Sequence, residues 1–198
     1  MSGSDSLALV TARTLATAGL GFGVGITASI PLWTLPTIYS KESRTTPVDR
    51  LRLWSQLYDN GKHTMLRLLP VLISVLSYSA YSAKNPISYL PSNWWGNNRK
   101  VILAVSAVST FGVGLWTGAR MEKLNQYLKS IEAKINADVD VTTSSSSSSS
   151  PAKVSSVYAA QADEADKLIA GEWTWKHNVR VALFTVAFGL SLGELAFA

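Results

Sequence analysis

Four long apolar stretches alternate with polar segments along the chain. The stretch from Thr14 to Ser40 contains no charged residue, and neither do those from Leu68 to Ala83 and from Val101 to Ala119. The last stretch, from Val181 to Ala198, carries only Glu194 as a charged residue. A helix crosses the hydrocarbon core of a bilayer with about 20 residues. The pattern therefore predicts an all-α fold, an integral membrane four-helix bundle with spans at approximately 14–36, 63–83, 101–119 and 179–197.

Between the first two spans, the chain carries the signals of a short amphipathic helix. Thr46 stands at the N-cap position, Pro47 follows at the first helical position, and apolar residues recur at helical spacing from Leu51 to Tyr58. Gly61 is expected to stop or bend this helix before the second span. We therefore predict an interfacial amphipathic helix that lies on the membrane surface.

Two further helical patterns extend the third and fourth spans outside the bilayer. Apolar residues continue at helical spacing from Leu124 to Ile135, and again from Ala162 to Trp173. Between them, seven serines run from Ser144 to Ser150, a composition that favours disorder. We predict that the two extensions pair as an antiparallel hairpin, with a disordered serine-rich linker, 140–156, at its tip.

The composition agrees with a membrane protein and excludes several other classes. Of the 198 residues, 47% are hydrophobic and only 16% are charged, and the mean hydropathy is +0.15. The chain contains no cysteine, which excludes disulfides, thiolate metal sites and covalently attached c-type haem. The net charge of +5 does not indicate nucleic-acid binding, because the basic residues mostly flank apolar stretches, where they meet anionic headgroups. Membrane lipids are therefore expected partners, and nucleic acid is not.

The first apolar stretch allows other interpretations than a packed span. A cleaved signal peptide is disfavoured because no basic region precedes Leu7. A dinucleotide-binding loop is disfavoured because no strand precedes the glycines and their spacing does not complete the fingerprint. The glycines at alternate positions, Gly19, Gly21, Gly23 and Gly25, favour close packing of helices in lipid.

The two histidines of the chain occupy equivalent places, because His63 opens the second apolar run and His177 opens the fourth. In a four-span bundle, the second and fourth helices begin on the same side of the membrane. Both rings are therefore expected at one end of the molecule. A lone histidine at an interface is commonly a hydrogen-bonded surface residue, and this alternative stays open. Because imidazole titrates near neutral pH, either ring is also a candidate proton acceptor.

Helical geometry brings further polar and aromatic side chains to the same end: Arg67, Trp116, Arg120, Asn125, Trp173 and Arg180. Trp173, His177 and Arg180 share one helix face, because they are spaced four and three residues apart. Each arginine alone could instead snorkel to lipid headgroups. Tryptophan and arginine together on an inward face make a flat, cation-lined pocket suited to an aromatic polyphenol or its anion.

The sequence contains few residues that could bind a metal ion within the spans. A di-iron bundle needs several inward carboxylates with Glu-x-x-His spacing, whereas the spans hold only Glu194. We therefore predict no metal site of that kind. A haem with His63 and His177 as axial ligands stays open as an alternative.

Four short motifs, ordered along the four spans, resemble the fungal anthrone oxygenase family of small membrane proteins. The motifs are Ser29-Ile30-Pro31-Leu32, Trp54-x-x-x-Tyr58-x-x-Gly61 with Pro70 following, Arg120-Met121-x-x-x-Asn125-x-x-Leu128 and Trp173-x-x-x-His177-x-x-Arg180. Together they cover most of the chain, and their order and spacing relative to the spans are the specific part of the resemblance.

The resemblance implies oxidation of an anthrone, a tricyclic polyketide, to an anthraquinone in secondary metabolism. Dioxygen is the implied co-substrate, and no organic cofactor is expected. The expected location is the endoplasmic reticulum or another endomembrane. For this chemistry we assign His177 or His63 as the base and Arg180 and Arg67 as anion stabilisers. The expected substrate-binding set is completed by Trp173 and Trp116 as walls, Asn125 as an orienting hydrogen-bond donor, and Arg120 and Tyr58.

Two other function classes stay open. The chain could be a non-catalytic four-span scaffold in which the residues at this end serve only as interfacial anchors. It could also be a haem-binding redox protein or a small transporter. The sequence predicts no particular oligomeric state.

Overall fold

The computed structural model describes residues 6–83, 94–145 and 156–197, and these residues form four long helices joined by short segments. We label the long helices α1 to α4. Helix α1 consists of Leu7–Ser29, a π-helical turn Ile30–Thr34 and a last turn Leu35–Ile38, and α2 is Pro47–Ser82. Helix α3 consists of Arg99–Trp116, a π turn Thr117–Met121 and Glu122–Ser145. Helix α4 consists of Ser156–Leu168, a π turn Ile169–Trp173 and Thr174–Phe197, and a one-turn helix, Trp94–Asn97, precedes α3.

All four long helices are long and apolar enough to cross a membrane. The predicted all-α, multi-pass membrane architecture is therefore confirmed. The four predicted spans fall on these four helices. Most of the predicted serine-rich linker, 140–156, lies outside the described residues, although α3 continues into it as far as Ser145. The connection 84–93 between the second and third spans also lies outside the described residues.

Helix α2 begins at the predicted cap but does not stop at the predicted glycine. The Thr46 hydroxyl accepts a hydrogen bond from the Asp49 amide at 3.2 Å, and the Asp49 carboxylate accepts one from the Thr46 amide at 3.0 Å. The helix then runs through Gly61 to Ser82 without a break. The prediction of a separate helix on the membrane surface is therefore wrong. A glycine costs a helix only about 1 kcal/mol, which packing on both sides of it offsets.

Within the apolar half of the bundle, the glycines of α1 allow close packing. A Cβ atom at Gly19 would lie 2.9 Å from Leu72 of α2, and one at Gly23 would lie 3.0 Å from Phe184 of α4. Leu72 and Phe184 are both buried in the core of the spans. The prediction that the glycines serve helix packing is confirmed for Gly19, Gly21 and Gly23, whereas Gly25 is exposed and a Cβ atom there would meet nothing within 4 Å.

A second core holds the helical extensions together. Leu128, Ile131 and Ile135 of α3 pack with Ala162 and Ala165 of α4, which confirms the predicted hairpin. The first turns of α2 join this core through buried residues, Leu51 and Trp54. The extensions therefore form a three-helix bundle that continues the transmembrane bundle rather than a free hairpin.

A polar clamp ties the end of α1 to α2 and α4 beside this second core. Arg50 donates two hydrogen bonds to the Asp166 carboxylate, at 2.9 and 2.7 Å. The Tyr39 hydroxyl donates to the same carboxylate at 2.7 Å. Burial, and then the hydrogen bond to Asp166, raise the pKa of the Tyr39 phenol, so the phenol stays protonated and keeps donating.

At the opposite end of the bundle, the only acidic residue of the last span is neutralised by two arginines. One oxygen of Glu194 lies 2.9 Å from Arg13 of α1 and 2.7 Å from Arg99 of α3. Glu194 and Arg13 are both buried. Because each charge finds an opposite charge, the group can persist inside the bundle, where an isolated carboxylate would be costly.

Candidate functional site

A cavity of about 250 Å³ lies where the transmembrane core meets the core of the extensions. All four long helices contribute to its wall. Most of the wall is apolar, and the polar side chains are concentrated on α4 and on the facing turns of α2 and α3. The wall includes Tyr58, Lys62, Leu66, Gly114, Gly118, Trp173, His177 and Arg180.

All three π turns border this cavity. Ile30 comes from the turn in α1, Thr117 and Gly118 come from the turn in α3, and Trp173 ends the turn in α4. A π turn inserts an extra residue into a helix, which shifts the face that the following side chains present. Such turns are rare and occur frequently at functional sites. Their coincidence around one cavity marks this position as the candidate site.

His177 is the buried polar centre of the site, with only 2% of its surface exposed. Its Nε2 atom lies 2.8 Å from the backbone carbonyl oxygen of Thr27 in α1. A carbonyl oxygen can only accept, so in the neutral ring Nε2 carries the hydrogen. This carbonyl is free to accept because the residue four positions later, whose amide would normally bond to it, is Pro31.

The other ring nitrogen of His177 is left as an acceptor. Its Nδ1 atom is buried and has no hydrogen-bond partner within the described part of the chain. In the tautomer fixed by Thr27, Nδ1 carries a lone pair and no hydrogen. His177 therefore lines the cavity as an imidazole whose Nδ1 lone pair is not used by any described group.

Trp173 holds the His177 ring from one side. The two rings are stacked, with centroids 4.6 Å apart and planes 17° apart. The indole Nε1 of Trp173 donates a hydrogen bond to the Asn125 side-chain oxygen at 3.0 Å. Asn125 is buried behind Trp173 and does not itself line the cavity. It therefore orients the tryptophan, and through it the histidine ring.

Arg180 lies one turn after His177 on the same face of α4 and also lines the cavity. Its Nε atom is buried without a hydrogen-bond partner, and its nearest recorded acceptor is the sulfur of Met121, at 4.0 Å from Nη1. Among the described residues, no carboxylate forms an ion pair with it. A partly buried cation without a counter-charge is costly, so this guanidinium is poised to pair with an anion in the cavity.

Tyr58 closes the site from α2. Its ring stacks on Trp54 at 5.4 Å between centroids, and Trp54 in turn meets Trp173 edge to face at 6.0 Å. The ammonium of Lys62 lies 5.6 Å from the Tyr58 ring. These aromatic contacts form one continuous wall from α2 to α4.

The structure brings together four of the nine residues proposed from the sequence: His177, Arg180, Trp173 and Tyr58 all line the cavity. His63 and Arg67 do not; both are exposed. The face of α2 that lines the cavity carries Tyr58, Gly61, Met65 and Leu69, and His63 and Arg67 project from the opposite face at 100° per residue. The expectation that both imidazoles share one cavity is therefore wrong.

Trp116 and Arg120 are also turned away from the cavity. The indole of Trp116 donates to the backbone carbonyl of Lys176 at 3.0 Å, which ties α3 to α4. Arg120 is exposed and lines a separate open groove together with Lys123 and Lys176. Both residues lie at the π turn of α3, where the change of helical phase decides which side chains face inward.

The polar and charged cavity-lining residues that the sequence did not predict are Thr27, Lys62, Thr117 and Glu122. The signal for Thr27 is present in the sequence, because Pro31 stands four positions later and must leave the Thr27 carbonyl without its helical donor. Lys62 and Glu122 line the cavity from α2 and α3. No local pattern distinguishes these two from the other charged residues near the ends of the apolar stretches.

Ligands for a metal do not converge in the described part of the chain. No group of three or more His, Asp or Glu side chains there is placed to hold a metal ion. Because His63 and His177 do not face a common space, the geometric basis for a haem held between them is also lost.

Comparison with known proteins gives one match. The family model described as anthrone oxygenase matches residues 54–190, more than two thirds of the 198 residues. The matched segment contains every cavity-lining residue of α2, α3 and α4. Comparisons with curated proteins and with solved structures found no match.

Proposed function

This chain belongs to the anthrone oxygenase family, and from that premise we propose that it is a membrane monooxygenase that oxidises a polyketide anthrone to an anthraquinone with dioxygen. One observation carries the proposal. A buried imidazole with a free Nδ1 and a guanidinium without a counter-anion stand side by side in one cavity. A base next to a cation is what the deprotonation of an anthrone requires.

The first step of the proposed reaction removes a proton. An anthrone has a methylene group between two aromatic rings and opposite its carbonyl. Nδ1 of His177 accepts one methylene proton, and the electron pair of the broken C–H bond delocalises onto the carbonyl oxygen. Arg180 stabilises the oxyanion that forms. The wall of Trp173 and Tyr58 matches the flat shape of the tricycle. The cavity volume of about 250 Å³ lies just below the usual range for small-molecule pockets, which is about 300–1,000 Å³.

The second step consumes dioxygen. The electron-rich anion reduces O₂ and forms a carbon–oxygen bond at the former methylene carbon, and the protonated His177 returns its proton to the terminal oxygen. The resulting hydroperoxide then loses its remaining C–H hydrogen and its terminal OH group together as water. This elimination leaves the second carbonyl. One oxygen atom thus enters the quinone and the other leaves as water. In this scheme the substrate anion supplies the electrons, so the proposal requires neither a metal nor an organic cofactor.

The fold supports a membrane setting for the proposed reaction. An apolar cavity in a membrane-spanning bundle favours both dioxygen and a flat aromatic molecule over water. The proposed partners are therefore an aromatic polyketide and the membrane lipids, and the proposed location is the endoplasmic reticulum or another endomembrane, as part of secondary metabolism.

The experiment is an oxidation assay in membranes. Membranes that contain the protein are incubated with an anthrone under ¹⁸O₂, and heat-denatured membranes provide the rate of spontaneous oxidation. We expect quinone formation well above that rate, with one ¹⁸O atom per new carbonyl and one O₂ consumed per quinone. A rate equal to the denatured control would contradict the proposal and favour a non-catalytic scaffold.

A further inference from the structure

Among the described residues, the exposed part of the cavity wall lies on one side of the bundle. Among its lining residues, those that are exposed are Lys62 and Leu66 on α2 and Gly114 and Gly118 on α3. The lining residues of α1 and α4 are buried or partly buried. The mouth of the cavity therefore lies between α2 and α3, on the flank of the helices rather than at the end of the bundle.

The two glycines at the mouth do not serve packing. A Cβ atom added at Gly114 or Gly118 would meet nothing within 4 Å. At Gly19 and Gly23 of α1, by contrast, a Cβ atom would lie about 3 Å from a neighbouring helix. A glycine inside a helix costs about 1 kcal/mol relative to alanine, and at the mouth no close helix contact offsets this cost. What the two glycines do is leave the gap between α2 and α3 uncovered.

The mouth lies at the boundary between apolar and polar surroundings. Leu66 is 63% exposed, and Phe111 and Leu115 of α3 are also largely exposed, so the flank below the mouth is apolar. Lys62 marks the opposite edge, one turn away from Leu66 towards the extensions. Exposed apolar side chains on a spanning helix face lipid, and a lysine at the end of the apolar stretch reaches the headgroup level.

We propose that this mouth, formed by Lys62, Leu66, Gly114 and Gly118, is a lateral portal through which a flat, neutral aromatic molecule passes from the bilayer to His177. The identity of that molecule as an anthrone rests on the proposed function; the portal itself rests on the geometry. His177 lines the cavity behind the mouth, and its buried Nδ1 has no hydrogen-bond partner among the described residues, which points to a ligand in this cavity. Passage from lipid keeps an apolar substrate out of water at every step. The absence of side chains at Gly114 and Gly118 sets the width of the opening through which the substrate passes.

The absence of cysteine from the chain makes a reversible test possible. Gly118→Cys introduces a unique thiol at the mouth, and a bulky thiol reagent attached through a disulfide closes the gap; dithiothreitol then removes it from the same sample. The matched control is Gly25→Cys, because Gly25 is exposed, has open space around it and does not line the cavity. The probe is 1,8-dihydroxyanthraquinone, whose binding to the full-length protein in lipid nanodiscs is followed by stopped-flow absorbance.

If the portal exists, the label at position 118 slows association and dissociation of the probe together, each by about tenfold or more, with little change in Kd. Reduction restores both rates, which shows that the fold was intact. The label at position 25 changes neither rate. Unchanged rates with the label at position 118 would overturn the proposal, and so would failure of the unlabelled protein to bind the probe.

A second probe identifies the source of the ligand. Anthraquinone-2-sulfonate has a similar ring system but stays in water. At equal aqueous concentration, passage from the bilayer predicts faster association for the neutral probe than for the sulfonate. Equal association rates would overturn the membrane route. Binding without any oxidation of anthrone would refute the proposed function and leave the portal standing, so the two failures are distinguishable.

Discussion

The Nε2 atom of His177 lies 2.8 Å from the backbone carbonyl oxygen of Thr27, and that carbonyl is available because Pro31 cannot donate to it. The contact joins α4 to α1 and fixes which ring nitrogen carries the hydrogen. In the proposed mechanism it makes Nδ1 the base. The proline in α1 thereby acts on the site through the orientation and tautomer of a histidine about 150 positions away in the sequence.

Pro31→Ala tests this relationship. The substitution restores an amide at position 31 that can donate to the Thr27 carbonyl and compete with His177. Because the ring then loses its fixed orientation, we expect the oxidation rate to fall by roughly tenfold or more, with a change in the pH profile of the rate. Pro36→Ala, at an exposed proline of the same helix, is the matched control and is expected to keep the rate. Equal rates for the two variants would refute the role of Pro31.

Arg180→Ala tests the anion-stabilising role. Removal of the guanidinium takes away the charge that balances the oxyanion, so kcat is expected to fall by about a hundredfold, with a smaller effect on KM. Arg180→Lys should recover part of the loss, because it keeps the charge without the same geometry. Steady-state kinetics with Arg67→Ala as the control checks this, since Arg67 is exposed and outside the cavity. An unchanged kcat in Arg180→Ala would show that the guanidinium does not stabilise the oxyanion.

Asn125→Ala tests the support behind Trp173. The substitution leaves the buried indole N–H without its acceptor, and we expect a loss of about 1–3 kcal/mol in the free energy of unfolding. Trp173→Phe removes the donor, so the double variant should lose less than the sum of the two single losses. Unfolding of the four proteins in detergent provides the measurement. Strict additivity of the losses would show that the contact carries no coupling energy.

Glu194→Ala tests the ion cluster at the opposite end of the bundle. The substitution leaves Arg13 and Arg99 without the carboxylate they share, and we expect a loss of about 3–5 kcal/mol in stability. Glu172→Ala removes the partner of Lys176 in a half-exposed i,i+4 pair and should cost about 0.5 kcal/mol or less. Thermal unfolding of both variants gives the comparison. Equal losses would mean that burial adds nothing to the Glu194 cluster.

The sequence predicted the fold well because its signals are local. Apolar length identified the four spans, and helical spacing identified the extensions and the shared face of Trp173, His177 and Arg180. Such spacing holds wherever the helix is placed, because it depends only on 100° per residue.

The sequence did not predict which face of α2 turns inward. Both faces of that helix carry apolar residues, so the hydrophobic pattern did not indicate whether His63 or Met65 faces the interior. Packing against α1 and α3 decided between them. The sequence also did not predict the π turns, because no local pattern signals them. The turn in α3 determines that Thr117 and Gly118 face the cavity while Trp116 and Arg120 do not.

Of the two histidines, we expect His177 alone to take the substrate proton. The most direct test compares His177→Ala with His63→Ala, both purified in folded form as judged by thermal unfolding, in the anthrone oxidation assay. We expect His177→Ala to lose about a hundredfold in rate or more, while His63→Ala stays within about twofold of the unchanged protein because its ring lies outside the cavity. An unaffected rate in His177→Ala, or an equal loss in His63→Ala, would show that His177 is not the specific base.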